Sequence, residues 1–358
     1  MKIGFVDDTF LWYSARRLLP GTFCHIIPQR IFFKVFFTCG GDRNLNKKVY
    51  STPFAGLCNR LEALPVCFAF QEYFGHEVVL DWPEADDLRI VGARFGKLYP
   101  WQKLGARRFS APSPDEFAQL GRHRLLIQKG LFGGIPQVNR RLYLATGARL
   151  RLNPRLLVQL LAQFAPLGDT IVVGVHVRRG DYRPGTDDNL YDLEHHIHSQ
   201  VPLWWYEYAM GEVMRRYQKV IFYLAHNGLT AEEEARLHQK FPLVQAPKDN
   251  PYRPKRQGHQ AEANPVRDLF ALACCPIIIG SPMSTFTHYP AHALGRPTLV
   301  IQPLSKTYRT APHMGYSRLF GEGIHAWMDT LYKGVSFYPV RSGVELPEVD
   351  YPQALEWL

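Results

Sequence analysis

The chain contains 358 residues, 46% of them hydrophobic, and its 42 Lys and Arg residues exceed its 32 Asp and Glu residues to give a formal net charge of +10. This length is too great for one ordinary hydrophobic core and predicts two domains, while the positive charge favours anionic partners such as phosphates or acidic glycans. The sequence has no zinc-finger spacing or groove-reading motif and no apolar run near the roughly 18 residues of a membrane span, which argues against nucleic-acid-binding and integral membrane proteins.

Residues 1–44 are predicted to form an extension outside the two domains. They include Asp7 and Asp8 and lack an uninterrupted apolar core, which is not typical of a secretory signal. Aromatic and basic residues alternate over 26–37, a pattern that fits contact with an anionic membrane surface and equally fits a segment packed on the first domain. The six cysteines form no Cys-x-x-Cys pair, so we expect free thiols and a cytoplasmic protein, with peripheral contact to the inner face of the membrane as an open alternative.

Residues 45–167 are predicted to form the first domain. A strand at 49–52 precedes a glycine-containing turn, an apolar helix that closes at Gly75, and a second strand at 77–82. Strand, glycine turn, helix and strand in this order are the opening unit of a doubly wound α/β domain. The pattern then weakens, and 89–167 is predicted to contain helices and basic loops.

Residues 168–358 are predicted to form the second domain, a parallel sheet with alternating helices. It opens with IVVGVHVRRGDY at 171–182, whose β-branched run indicates a strand covered on both faces. Thr230 followed by Glu233 predicts a capping box at the start of a helix, and Asn264 followed by Pro265 predicts another helix start. A long polar loop at 248–264 has the composition of a binding loop.

The first candidate motif is AGLCNRLEAL at 55–64. Gly56 permits close approach of the backbone to a ligand, and Asn59 and Arg60 add polar donors at a helix start, where the helix dipole favours an anion. An ordinary βα turn explains the same residues, so this motif alone is not specific.

The second motif is HVRRGDY at 176–182, and it is the most informative stretch of the chain. Arg178 and Arg179 follow a buried strand, at the sheet edge where open α/β sheets bind ligands. Guanidinium groups grip diphosphate oxygens in bidentate fashion and can neutralise a leaving diphosphate without a metal. Asp181 is expected to hold one arginine, and His176 to orient the other or to contact the nucleotide.

The third motif spans 268–294, where a buried strand ends in Ser281 and a helix starts at a turn that contains Ser284 and Thr285. Hydroxyl groups and backbone N–H groups at such a turn form an anion cradle, although capping alone also explains them. Asp268 follows Asn264 and Pro265 at the start of its helix, where a carboxylate complements the helix dipole.

These three motifs, in this order, resemble the α1,2-/α1,6-/protein O-fucosyltransferase superfamily, including the rhizobial nodulation enzymes. The resemblance covers roughly residues 48–305. It implies a GT-B-like α/β fold of two Rossmann-type domains facing a central cleft, with the acceptor bound by 45–167 and the nucleotide sugar by 168–358. It also implies GDP-fucose as the donor, no metal and no cofactor, and inversion at the anomeric carbon.

Roles for individual residues also follow from the resemblance. Arg178 and Arg179 are expected to contact the diphosphate, with Arg179 contributing at least as much to turnover as Arg178. The remaining motif residues are expected to line the donor pocket, and the acidic loop that follows supplies the catalytic base, Asp187, with Asp188 or Glu194 as substitutes. No metal ligands are expected, because His195, His196 and His198 read as a solvated helix face.

The acceptor and its linkage are not readable from these motifs. Trp204, Trp205 and Tyr206 are candidate rings for stacking on a sugar, and a bacterial surface glycan is our expectation for the acceptor. Three alternatives stay open: a transferase that uses another nucleotide sugar, a non-catalytic nucleotide- or glycan-binding protein, and a basic protein that binds nucleic acid.

Overall fold

The computed structural model describes a chain whose residues from 46 onward form one compact unit. It describes residues 47–110, 112–129, 145–180, 182, 200–252, 262–281, 284–294, 299–304, 325–331 and 334–338. The predictions made for residues 1–44 therefore lie outside the described part of the chain.

The first sheet is parallel, with the strand order β4-β2-β1-β6-β5. Its strands are β1 (Lys48–Ser51), β2 (Glu77–Leu80), β4 (Ala93–Phe95), β5 (Arg107–Phe109) and β6 (Leu125–Gln128). A separate antiparallel pair lies beside it, formed by β3 (Leu88–Ile90) and β7 (Leu150–Leu152).

Helix α1 (Leu57–Phe74) connects β1 to β2 and is buried on most of its sides. It contacts β1, β2 and the helix that follows Ser284, so little of it faces water. The helix ends at Gly75, whose φ of 72° is left-handed and places its backbone N–H against the carbonyl oxygens of the last turn. Gly75 therefore ends the helix where the sequence predicted.

The second sheet has seven strands in the order β10-β9-β8-β11-β12-β13-β14. All neighbours pair in parallel except β13 and β14, which are antiparallel. The strands are β8 (Ile171–Arg178), β9 (Val220–Asn227), β10 (Leu243–Gln245), β11 (Ile277–Gly280), β12 (Leu299–Leu304), β13 (His325–Leu331) and β14 (Gly334–Tyr338). Its first six strands follow the doubly wound order 3-2-1-4-5-6 of dinucleotide-binding domains.

Helices lie on both faces of the second sheet, and six further helices follow α1 in the described part of the chain. They are α2 (Pro114–Leu120), α3 (Pro154–Phe164), α4 (Leu203–Arg216), α5 (Ala231–Lys240), α6 (Pro265–Ala273) and α7 (Thr285–Tyr289). Single turns of 3₁₀ helix span Pro83–Asp86, Pro100–Leu104 and Ala165–Leu167, and α7 continues as a π-helical turn at Pro290–Leu294. Both predicted helix starts are confirmed, because Thr230 and Asn264 accept hydrogen bonds from the first turns of α5 and α6.

One hydrophobic cluster runs through both halves of the compact unit. It contains α1 and one face of the first sheet together with α6 and one face of the second sheet. A second cluster lies on the opposite face of the second sheet, under α4 and α5. Because side chains alternate along β8, Val173, Val175 and Val177 enter the second cluster, whereas His176 and Arg178 belong to the face that carries α6.

The predicted α/β class with two Rossmann-type sheets is confirmed, and the main differences are in strand content. Residues 89–167 contain β4, β5 and β6 where helices and basic loops were expected, because strands of three or four residues show too little alternation to be recognised. Strand β14 makes the second sheet mixed at its edge. Within the described ranges, no helix is both long and apolar enough to cross a membrane.

Candidate functional site

The candidate site lies where the strand order of the second sheet reverses direction. The chain winds outward from β8 through β9 to β10, then returns to β11 on the other side of β8. Connections therefore leave β8 and β11 in opposite directions and open a crevice at the carboxyl ends of these strands. Arg178 ends β8 and Ser281 follows β11, so two predicted motifs meet at this switch point.

Arg178 reaches across the crevice toward α7. Its backbone N–H donates to Ser281 Oγ at 2.8 Å, and its Nη1 donates to Ser284 Oγ at 3.5 Å. Its guanidinium carbon also lies 5.0 Å from the centre of the Tyr182 ring. The second and third motifs are thus joined by one half-buried arginine.

Arg179 points to the other face of the sheet. Its Nη1 donates to Glu233 Oε1 at 2.5 Å, and Glu233 is the capping-box residue of α5. Its backbone N–H bonds to Asn227 at the end of β9, and its side chain is 14% exposed. Gly228 permits this packing, because with φ at 88° a Cβ there would lie 3.0 Å from the Gly180 nitrogen. The described contacts therefore hold Arg179 in an internal ion pair.

His176 is buried and belongs to a hydrogen-bonded network beneath Arg178. The Thr287 hydroxyl donates to the Ser281 carbonyl oxygen at 3.1 Å, so its oxygen accepts from His176 Nδ1 at 2.8 Å. This arrangement places a proton on Nδ1. His176 thereby fixes the start of α7 relative to β8.

Ser281 is fully buried and serves as the hub of the same network. Its hydroxyl donates to the His176 carbonyl oxygen at 3.3 Å and accepts the Arg178 N–H, so the Tyr206 hydroxyl must be its second donor, at 2.7 Å. Ser281 therefore positions the backbone of Arg178. The sequence analysis did not assign Tyr206 and Thr287 to this network, because Tyr206 lies 75 residues from Ser281 and Thr287 lies 111 residues from His176.

Ser284 and Thr285 form the start of α7 and are both buried. Ser284 is the N-cap residue, yet its side chain makes no capping hydrogen bond and instead accepts from Arg178. The turn therefore presents a hydroxyl group beside the arginine, and its predicted role in binding an anion remains a prediction.

The amino end of α1 faces this crevice from the first sheet. Gly56 is the N-cap residue of α1, and a Cβ there would meet nothing within 4 Å. Burial raises the pKa of the Cys58 thiol in the first turn, and the nearby charge of Arg178 partly offsets the effect. This interaction and the contact between α1 and α7 show that the first motif lies beside the other two. Asn59, half-buried in the same turn, completes the predicted set on this side.

Arg60 is bound internally. Its guanidinium group donates to both carboxylate oxygens of Glu84, at 2.8 and 2.6 Å, and both side chains are 4% exposed. It also lies 4.8 Å from the Trp82 ring centre and donates to the Ala55 carbonyl oxygen at 3.0 Å. The described contacts give Arg60 the task of fixing the loop, and its predicted contact with the donor remains a prediction.

Asp268 lies in the first turn of α6 and is buried. Its Oδ1 accepts from the Tyr223 hydroxyl at 2.7 Å. Burial raises the pKa of Asp268 to about 7, although the Tyr223 hydrogen bond and the charge of Arg267 act in the opposite direction. This carboxyl group belongs to the packing between α6 and β9, below the crevice.

Glu62 is a carboxyl group that sequence reasoning did not select. It lies one turn after Asn59 on α1, its Oε1 is buried without a hydrogen-bond partner among the described residues, and burial raises its pKa. It interacts electrostatically with Cys58 and with Tyr289, the last residue of α7. One feature of the sequence could have pointed to Glu62: it lies three residues after Asn59, which puts both side chains on one side of the helix.

Several predicted residues lie outside the described part of the chain, namely Asp181, Asp187, Asp188, Glu194, His195, His196 and His198. Trp205 and Tyr206 are described and fully buried in the cluster under α4, so they cannot stack on a sugar. Among the described residues, no group of three His, Cys, Asp or Glu side chains is arranged to hold a metal ion.

Comparison with known proteins gives no matching family model and no matching curated sequence. Solved structures similar to the chain include the fucosyltransferase NodZ from Bradyrhizobium, with 15% identity, a TM-score of 0.46, and coverage of 70% of this chain and 94% of that one. They also include POFUT1 in complex with GDP, with 12% identity, a TM-score of 0.41, and coverage of 70% and 95%. An Arabidopsis thaliana FUT1 mutant in complex with GDP has 12% identity, a TM-score of 0.47, and coverage of 74% and 72%. At these values the functional assignment depends on the residues of the site.

Proposed function

We propose that the protein is a metal-independent, inverting glycosyltransferase that moves fucose from GDP-fucose to a hydroxyl group of a glycan. The observation that carries this proposal is the position of Arg178, at the switch point of a doubly wound sheet. It lies beside the Ser284 hydroxyl and faces the amino end of α1. A fixed cation, a hydroxyl group and a helix start together suit the diphosphate of a nucleotide sugar. The identity of the nucleotide and of the sugar comes from the resemblance of the three motifs.

In the proposed reaction the acceptor oxygen forms a bond to the anomeric carbon while the bond from that carbon to the β-phosphate oxygen breaks. The electron pair leaves with GDP, so negative charge builds on the diphosphate. Arg178 is held by its backbone bond to Ser281 and can neutralise this charge without reorganisation. This cationic side chain supplies the countercharge, which is why we propose a reaction without a metal.

The proton of the acceptor hydroxyl must pass to a base. We propose Asp187 for this role, with Asp188 or Glu194 as substitutes. Glu62 is a further candidate, because one of its carboxylate oxygens has no hydrogen-bond partner among the described residues and lies beside Cys58. Comparing Asp187→Asn with Glu62→Gln separates them. Loss of the acidic limb of the pH profile of kcat, with donor binding retained, identifies the base.

The two halves of the compact unit then have different tasks. We propose that residues 168–358 bind the nucleotide sugar, because Arg178 and Ser284 belong to this half. Residues 45–167 are proposed to bind the acceptor glycan and to contribute Gly56 and Asn59 from the opposite wall.

A thermal-shift panel tests the proposal. GDP, GDP-fucose, GDP-mannose, UDP-sugars and ADP are added to the wild type, to Arg178→Ala and to the exposed-arginine control Arg122→Ala, with and without EDTA. A ligand that binds the native state raises the melting temperature, so we expect shifts from GDP and GDP-fucose alone, unchanged by EDTA and absent in Arg178→Ala.

Other outcomes point to the alternatives. Stabilisation by UDP-sugars would mean that the donor is not GDP-fucose. A melting-temperature shift that disappears with EDTA would contradict the metal-independent mechanism. Binding of GDP-fucose without fucose transfer or donor hydrolysis would mean that the protein is a non-catalytic binding protein. Proton NMR of the product gives the anomeric configuration, and retention of configuration would contradict the inverting mechanism.

A further inference from the structure

The surface around the 3₁₀ turn Pro100–Leu104 is the most unusual exposed region in the described part of the chain. Tyr99, Trp101 and Leu104 are 47%, 65% and 90% exposed. Of the other large apolar side chains exposed among the described residues, only Tyr208 and Met214 share an element, helix α4, so Tyr99, Trp101 and Leu104 are the only three that lie within six residues. Single exposed apolar residues need no explanation, whereas a cluster marks an interaction site.

The three side chains form one continuous face. The Tyr99 and Trp101 rings stack with centres 4.6 Å apart and planes at 10°. In a 3₁₀ helix, side chains three residues apart lie above one another, so Leu104 continues the face that begins with Trp101. The face is apolar at its centre and, through the indole and phenol groups, polar at its rim.

This face is held on a rigid base. The Tyr99 N–H donates to Gln102 Oε1 at 2.9 Å, and Gln102 Nε2 donates to the Tyr50 hydroxyl at 3.4 Å. Leu98, just before the turn, is buried against Tyr50 on the side of the first sheet opposite α1. The exposed rings are therefore presented by the sheet and are not explained by a poorly packed loop.

Positive charge surrounds the apolar face. The segment 97–108, KLYPWQKLGARR, contains four basic residues and no acidic residue. The four are exposed, and two of them lie on the edge strand β5: Lys97, Lys103, Arg107 and Arg108. We define these four cations together with Tyr99, Trp101 and Leu104 as the aromatic-basic surface.

We propose that the aromatic-basic surface binds the interface of an anionic lipid bilayer. Trp and Tyr rings favour the headgroup region of a bilayer, and Lys and Arg side chains are attracted to anionic headgroups. Transfer of a protruding leucine side chain from water into the bilayer interface is also favourable. Charge complementarity favours a bilayer over a protein partner, because segment 97–108 offers four cations and no anion to match a mixed protein surface. The site is separate from the crevice at Arg178 and does not depend on the proposed reaction.

Co-sedimentation of the full chain with vesicles tests the proposal. Vesicles of phosphatidylcholine alone are compared with vesicles of phosphatidylcholine and phosphatidylglycerol, at low and high salt. We expect binding to the anionic vesicles that falls with salt, a loss of about fivefold or more in the partition coefficient for Lys103→Gln, and a larger loss for Trp101→Ser with Leu104→Ser. The matched control Val158→Ser removes an apolar side chain that is 64% exposed elsewhere and should bind as the wild type does.

Equal binding by the wild type and the Trp101→Ser, Leu104→Ser variant would overturn the proposal and assign any binding to another segment, such as 26–37. Absence of binding to either vesicle would also overturn it. If an acidic polysaccharide binds the wild type but not the double variant, and no vesicle binds, the partner of this surface is a glycan and not a bilayer. All four altered side chains are exposed, so each variant should keep its fold, and thermal unfolding of each variant checks this.

Discussion

Replacing Arg178 and Arg179 separately by alanine distinguishes two neighbouring arginines that the sequence treats alike. The described side-chain contacts of Arg178 are long: 3.5 Å to the Ser284 hydroxyl and 5.0 Å to the Tyr182 ring centre. Contacts of this kind contribute about 1 kcal/mol or less to the free energy of unfolding. Losing these two contacts in Arg178→Ala should therefore cost no more than about 1 kcal/mol each.

The effect of Arg178→Ala on turnover should be much larger. A fixed donor aimed at developing charge contributes about 10²- to 10³-fold to kcat, or about 3–4 kcal/mol. Arg178→Lys should recover little of this activity, because an ammonium group cannot reproduce the planar fork.

Arg179→Ala should lose more stability and less turnover than Arg178→Ala. Arg179 is 14% exposed and its partner Glu233 is 23% exposed, so the variant leaves a largely buried carboxylate without its cation. We expect a loss of about 2–3 kcal/mol in the free energy of unfolding and a smaller, indirect loss of kcat.

Urea unfolding and kcat at saturating GDP-fucose, measured on both variants, check this contrast. The order of effects on turnover differs from the sequence expectation, in which Arg179 contributed at least as much. A stable Arg179→Ala variant with the lower kcat of the two would refute the reasoning and would mean that Arg179 leaves Glu233 when the donor binds.

Three further predictions concern the internal contacts of the site. Arg60→Met should lower the free energy of unfolding by about 3–5 kcal/mol, because Glu84 stays buried without its partner. Adding Glu84→Leu should restore most of this loss, as measured by urea unfolding. If the double variant does not regain stability, the ion pair is not the cause of the loss. The pKa of Asp268 is raised to about 7, so between pH 5 and 7 the folded state holds a proton that the unfolded state has released. The stability of the wild type relative to Asp268→Asn should therefore fall as pH rises from 5 to 7 and then level off. The slope should approach about 1.4 kcal/mol per pH unit, and a stability difference that does not change with pH would contradict it. Tyr206→Phe should cost about 1–3 kcal/mol in the same unfolding assay, because Ser281 loses a buried hydrogen bond; an unchanged stability would show that the hydroxyl is not needed there.

Much of the second half of the chain could be predicted from its local pattern. The β-branched run of β8, the capping box at Thr230 and the Asn264–Pro265 helix start are signals contained within a few residues, and each produced the expected element. Strands β4, β5 and β6 could not be predicted in this way. They are three or four residues long, and pairing with β1, β2 and one another makes them strands.

The sequence by itself determined the α/β class and placed polar motifs at the carboxyl ends of strands, because hydrophobic periodicity and helix-start chemistry are local properties. Only the tertiary structure decided what each polar side chain does. Arg60 and Arg179 lie in motifs that suit an anion, yet Glu84 and Glu233 reach them from 24 and 54 residues away. Arg178 is directed into the crevice because side chains alternate along β8, and the partners that occupy each face are set by packing between distant segments.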